Sequence, residues 1–163
     1  MKARAKVRGP RTSRAPQAVS GRSTPAQRRH REATAHFERA FALEASDLQA
    51  ARDEYRAALD IHVGHLQATI NLGRLMHLNG ELAAAAAIYR AAEYGSALLS
   101  FNIALLLEDL QRHDEAVAAY LAALALDPTL HDAHFHLSAL HERQQRPREA
   151  LQHLLAYRRL TRI

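Results

Sequence analysis

The sequence predicts an all-α solenoid of stacked helical hairpins behind a basic N-terminal arm whose composition does not support a fold. Three observations carry this. Small and bulky residues recur in columns about 34 residues apart from Ala33 to the C-terminus. Short polar breaks such as Asn79-Gly80 and Arg146-Pro147 divide the apolar helical patterns at regular intervals. The 163 residues include six Gly, five Pro, no Cys and 48% apolar side chains, a composition that favours helix and is sufficient to bury a core.

The arm comes first. Residues 1–31 hold ten Lys or Arg and no acid, so all 17 acidic residues follow it. The body is mildly acidic and contains no Lys. Residues 1–24 carry Gly9, Pro10, Pro16, Gly21, several Ser and Thr and few large apolar residues. Such a segment buries too little surface to offset its ordering entropy and is expected to be disordered. Thr24-Pro25-Ala26-Gln27 reads as a helix start, with Thr24 as cap, Pro25 at the first helical position and Gln27 reaching back. Arg28, Arg29 and Arg31 oppose the helix dipole there, so fraying is expected as far as about Glu32.

The helices then follow at 25–45, 48–62, 65–79, 81–94, 96–110, 113–126, 130–144 and 147–161. Near the end of each second helix stands a bulky residue: Tyr55, Tyr89, Tyr120 and Leu154, with spacings of 34, 31 and 34. Four positions earlier the small residues Ala51, Ala85, Ala116 and Ala150 repeat the series. Three positions later Ala58, Ala92 and Ala123 do so again. The first helices supply a fourth column, Ala40, Gly73, Ala104 and Ser138. Small side chains let two helices approach, and a large one fills the adjoining groove. One hairpin cannot bury its apolar face alone, so the hairpins stack.

These columns, with Asp127-Pro128 closing the third repeat, resemble the tetratricopeptide repeat (TPR) family. The resemblance implies a right-handed superhelix of four repeats, near 33–65, 66–96, 97–130 and 131–163. Three departures stand out. The first repeat is one residue short around Ser46-Asp47. The second is three short at its exit, where Gly95 is expected to end the helix in the left-handed conformation and the superhelix to bend. In the fourth, Tyr157 replaces the small residue, and Arg158, Arg159 and Arg162 are expected to give the last helix a polar, capping end.

Chemistry is not indicated. No phosphate-binding glycine loop, nucleophile elbow or HExxH motif is present, and no enzyme activity or cofactor is expected. His131, His134, His136 and His141 share one helix but lack a full ligand set, so no metal site is expected. No apolar run approaches the roughly 20 residues of a membrane span, and no secretory signal is evident, which makes cytoplasmic location the expectation. The Arg- and Ala-rich, Lys-poor composition points to a bacterial gene.

In TPR arrays the first helices line a concave groove that holds peptides or partner helices. The resemblance therefore implies a non-enzymatic protein-protein interaction module. It points to Ile70, Asn71 and Arg74, to Phe101, Asn102, Glu108 and Asp109, and to Phe135 and His136 as peptide-binding residues. Asn71 and Asn102 share a column in which some relatives grip a peptide backbone. Phe101 and Phe135 share another and are expected to face the groove, whereas Phe41 and Leu105 read as core. The acids Glu108, Asp109 and Glu142 point to a basic or amphipathic partner, and the absence of Lys from the body excludes the two-carboxylate clamp of chaperone-binding relatives. The alternative is a nucleic-acid-associated regulator whose Arg-rich arm contacts DNA or RNA phosphates while the repeats recruit a partner.

Overall fold

A computed structural model describes residues 23–92 and 95–162. The expected arm lies, except for Ser23 and Thr24, outside the described residues. Eight helices follow in order: α1 Pro25–Leu43, α2 Leu48–Ile61, α3 Leu66–Leu78, α4 Leu82–Arg90, α5 Ala97–Asp109, α6 His113–Leu126, α7 His131–Arg143 and α8 Pro147–Leu160. There is no strand among the described residues. Consecutive helices pair as hairpins, and each hairpin's second helix packs on the next hairpin's first. At the middle junction α3 also meets α5 directly. None of these helices is long and apolar enough to cross a membrane.

The predicted columns are the core. Ala40, Ala51, Ala58, Ala85, Ala104, Ala116 and Ala123 are fully buried, as are Tyr55 and Tyr120, and Tyr89 nearly so. Gly73 is in its column for a steric reason, since a Cβ there would lie 2.2 Å from the Tyr89 ring. Two clusters share the burial. One joins the first two hairpins and takes Leu99 and Leu106 from α5; the other spans α5 to α7. Helix α5 is thus the partition that both halves pack against.

Three of the four inner turns are the same device. After α3, Gly80 has φ +77°, its N–H donates to the His77 carbonyl and the Glu81 N–H to the Met76 carbonyl. The pair of bonds is a Schellman cap. Gln111 (φ +59°) and Gln145 (φ +57°) repeat it after α5 and α7 without a glycine. The first hairpin, one residue shorter, has no left-handed residue in its turn; Asp47 caps α2 directly by accepting the Ala50 N–H at 3.0 Å.

Several expectations are corrected. Helix α1 is not frayed to Glu32: the Thr24–Gln27 capping box is closed in both directions, at 2.8 and 3.2 Å, and the helix runs from Pro25. Helix α4 stops at Arg90, well before 94, through tight bonds from the Ala91 and Ala92 N–H groups to the Ile88 and Tyr89 carbonyls. Gly95 takes φ +146° but lies beyond the helix end and does not terminate it. The 31-residue step accounts for this, because α4 gives up its last turn so that α5 can start three residues early. The end of the last helix is polar, with Arg158, Arg159 and Arg162 exposed, while Leu151 and Leu155 earlier on it are more than half exposed.

Candidate functional site

Eight of the nine residues singled out from the sequence line one concave groove of about 650 Å³. Helix α3 contributes Ile70, Asn71 and Arg74, α5 contributes Phe101, Asn102, Glu108 and Asp109, and α7 contributes His136. His77, Leu78, Leu98 and Leu105 complete the wall. Phe135 is the exception. Its ring is half exposed outside the groove and packs on Tyr157 and His136, at 5.5 and 5.7 Å between centroids. Phe101, in the same column, is flanked by the next repeat and packs between Tyr120 and His136; no further hairpin among the described residues does this for Phe135.

Phe41 is not core. It is 63% exposed, since its column is the one that places Arg74 and Leu105 on the groove wall. Leu105 does both tasks, half-buried against the second apolar cluster and open to the groove.

The polar residues are wired between repeats. In the first hairpin the Tyr55 hydroxyl donates to Glu44 at 2.6 Å and accepts from the Asn71 amide at 2.9 Å. Arg74 pairs with the same Glu44. In the third hairpin the Tyr120 hydroxyl donates to Glu108 at 2.5 Å, and His136 Nδ1 lies 2.9 Å from that carboxylate. The His136 ring stacks on Tyr120 at 5.3 Å, and Arg143 stands 3.8 Å from the far oxygen of Glu108. Burial alone would raise the Glu108 carboxyl, but the His136 and Tyr120 hydrogen bonds and the His136 and Arg143 charges hold it below its ordinary value. Burial, reinforced by the facing carboxylates, pushes the Tyr55 and Tyr120 hydroxyls up, so both remain donors.

The middle hairpin differs. Tyr89 is buried, yet its hydroxyl has no hydrogen-bond partner among the described residues. The column that holds Glu44 and Glu108 holds His77 here, and His77 Nε2 turns to Asp109 at 2.6 Å, tying α3 to α5. Asn102 spends its amide on the Leu98 carbonyl one turn back, at 2.8 Å. Each asparagine of the expected ladder therefore spends one amide N–H within the protein and keeps its carbonyl oxygen as an acceptor. Glu108 and Asp109 are likewise internally paired, which weakens the acidic groove inferred from sequence.

Of the α7 histidines, His134 meets His153 of α8 at 2.9 Å between Nδ1 atoms, and His141 stacks on His153. No group of three or more His, Cys, Asp or Glu among the described residues is arranged to hold a metal. Sequence reading missed Leu78 as a wall residue and Glu44 as a partner of the groove. The signal for Glu44 was available, since Glu44 and Glu108 stand four residues after the small residues Ala40 and Ala104.

A row of helical hairpins with a groove along its first helices defines a helical-repeat scaffold. The chain belongs to the tetratricopeptide repeat family: models described as tetratricopeptide repeat and TPR repeat match residues 42–100 and 105–145. No curated protein matches the sequence. Among solved structures the chain is similar to MamA 41-end from Desulfovibrio magneticus RS-1, with TM-score 0.68, 19% identity, and 78% of this chain and 75% of that chain covered. It is also similar to a tetratricopeptide repeat protein from Parabacteroides merdae ATCC 43184, with TM-score 0.68, 20% identity, and 77% of this chain against 52% of the other. At these identities the likeness concerns the fold. Arrays of this family are protein-interaction scaffolds, and the family assigns that coarse role to this chain.

Proposed function

We propose that the chain is an adaptor whose groove on α3 and α5 holds an extended peptide or a partner helix. The observation that carries the reading is the convergence of Ile70, Asn71, Arg74, Phe101, Asn102, Glu108, Asp109 and His136 on one concave surface. An apolar floor of Ile70, Phe101 and Leu105 with an exposed Leu98 offers anchor points, and the two asparagine carbonyls offer acceptors for backbone N–H groups. Phe135 belongs to the reading only as an outlying contact. The boundary proposed with it places an arm up to Thr24 ahead of a single array from Pro25, where α1 begins.

A peptide-display selection on the full chain tests this. Hits should bind with micromolar affinity, on the order of −8 kcal/mol. Leu98→Ala and Arg74→Ala, both on the wall, should weaken them about tenfold, whereas Leu155→Ala on the outer face should not. Hits that ignore the two wall variants would place the binding surface elsewhere.

The charge asymmetry of residues 1–31 supports a second reading, in which the arm contacts nucleic-acid phosphates. Titration of a labelled duplex with the full chain and with residues 25–163, at two salt concentrations, separates the readings. Salt-sensitive binding seen only with the arm supports the second, and none at low salt removes it.

A further inference from the structure

Charge is divided unevenly between the body of the array and its last helix. Residues 32–142 hold six arginines against 16 acids, and residues 143–163 hold six arginines against one. Arg39, Arg52, Arg56, Arg74, Arg112 and Arg143 each stand against a carboxylate of the chain, whereas Arg148, Arg158, Arg159 and Arg162 have no carboxylate partner among the described residues. Those four surround two apolar side chains. Arg148, Leu151, Leu155, Arg158 and Arg162 follow one another at spacings of three and four, which on a helix makes one stripe, and all five are exposed. Arg159 flanks the stripe, and Leu155, Arg158, Arg159 and Arg162 frame a hollow of about 360 Å³. Glu149, the only acid of α8, lies off the stripe.

A stripe at this spacing is what a second helix packs on. In the earlier hairpins the column of Leu151 holds Arg52, Ala86 and Val117, and that of Arg158 holds Leu59 and Leu124. These five are part-buried, and α2, α4 and α6 are each covered by the first helix of the following hairpin. No helix covers α8 in this way among the described residues. We propose that α8 takes an acidic amphipathic helix of another protein, with its apolar residues on Leu151 and Leu155 and its carboxylates on the arginines at both ends of the stripe. A second copy does not complement this face. Two α8 stripes would set arginine against arginine, and α1, at the other end of the array, carries four arginines against two glutamates. A lipid surface fits poorly, because interfacial helices keep arginines and leucines on opposite faces, and here they share one stripe. Nucleic-acid phosphates would pair the arginines and leave both leucines without an apolar partner. The face is separate from the groove on α3 and α5, so the inference goes beyond the groove reading.

The test uses the full chain, amide chemical shifts and four probes. The first is a helical peptide of about three heptads with leucine at a and d and glutamate at e and g, and the second is its lysine counterpart. The others are phosphatidylglycerol vesicles and a DNA duplex. The glutamate peptide should shift the amides from Arg148 to Leu160 saturably, and the lysine peptide should not. Leu155→Ala should weaken the glutamate peptide about fivefold. The double variant Arg158→Glu/Arg162→Glu, which alters only exposed side chains, should abolish its binding and let the lysine peptide bind instead. Display hits held by the groove should ignore both variants. No saturable shift on α8, shifts confined to the arm or the groove, equal responses to the two peptides, or binding unchanged in both variants would overturn the proposal. Vesicles or duplex shifting α8 where the glutamate peptide does not would overturn it in favour of a lipid surface or a phosphate backbone.

Discussion

The outer junctions and the middle junction of this array are built from the same columns and finished differently. Between the first and second repeats, and between the third and fourth, a buried tyrosine, a glutamate and a residue from the next hairpin close a hydrogen-bonded bolt. At the middle junction the step shortens to 31 residues, α4 loses a turn, and the tyrosine hydroxyl has no partner among the described residues. The groove opens at that point. Packing makes the array, whereas the polar residues decide which junctions are closed by hydrogen bonds and which are not.

The comparison can be broken most forcefully at Gly73. Gly73→Ala places a methyl inside the Tyr89 ring, so the middle junction should lose about 2–3 kcal/mol of stability by urea unfolding. An equal cost from Ala104→Gly would show that any size change in this column is damaging and that the Tyr89 contact is not special.

The reverse change sharpens it. His77→Glu should make the middle junction resemble its neighbours and add about 1–2 kcal/mol, read as a higher urea midpoint at pH 7. No gain would mean that the His77–Asp109 bridge is worth as much as the bolt it displaces.

The bolts should also set the acid limb of stability. Glu108 is held below its ordinary value of 4.5 in the folded chain. Its contribution is therefore complete above about pH 4.5 and is lost as the pH falls through the lower folded-state value. Glu108→Gln should flatten the loss of stability between pH 5 and 3, measured by urea unfolding across that window. Glu81 and Glu115 are lowered too, but they are solvent-exposed, and the same change there should leave the profile nearly unaltered.

The smallest effects lie in the turns. Gln111 and Gln145 hold the left-handed position that Gly80 holds in the second hairpin. Gln111→Gly and Gln145→Gly should each stabilise by about 0.5–1 kcal/mol, whereas Gly80→Gln should cost a similar amount. Thermal melts of the three variants decide the sign.

The architecture was legible in the sequence because close packing has a strict signature. Alanines in the second helices and a tyrosine four residues on have one workable arrangement, and all of them are buried. The groove wall was implied by the family resemblance that these columns carry, and eight of the nine residues it pointed to converge. What escaped depends on choices that spacing does not encode. Asn102 bonds back to its own helix while Asn71 reaches a neighbour, although they share a column. Phe41 stands in the column that elsewhere lines the groove wall, and Phe135 is exposed because the last repeat lacks a following neighbour among the described residues. The end of α4 was misplaced because Gly95 looked like the stop, while the shortened step ended the helix sooner.

The claim that two junctions are bolted and one is not is tested most directly by removing one oxygen at a time. Tyr55→Phe, Tyr89→Phe and Tyr120→Phe keep the rings and their packing. Urea unfolding at pH 7 should show losses of about 1–2 kcal/mol for Tyr55→Phe and Tyr120→Phe, each of which removes a hydrogen bond to a glutamate, and no loss or a slight gain for Tyr89→Phe. Equal losses at all three positions would contradict the account.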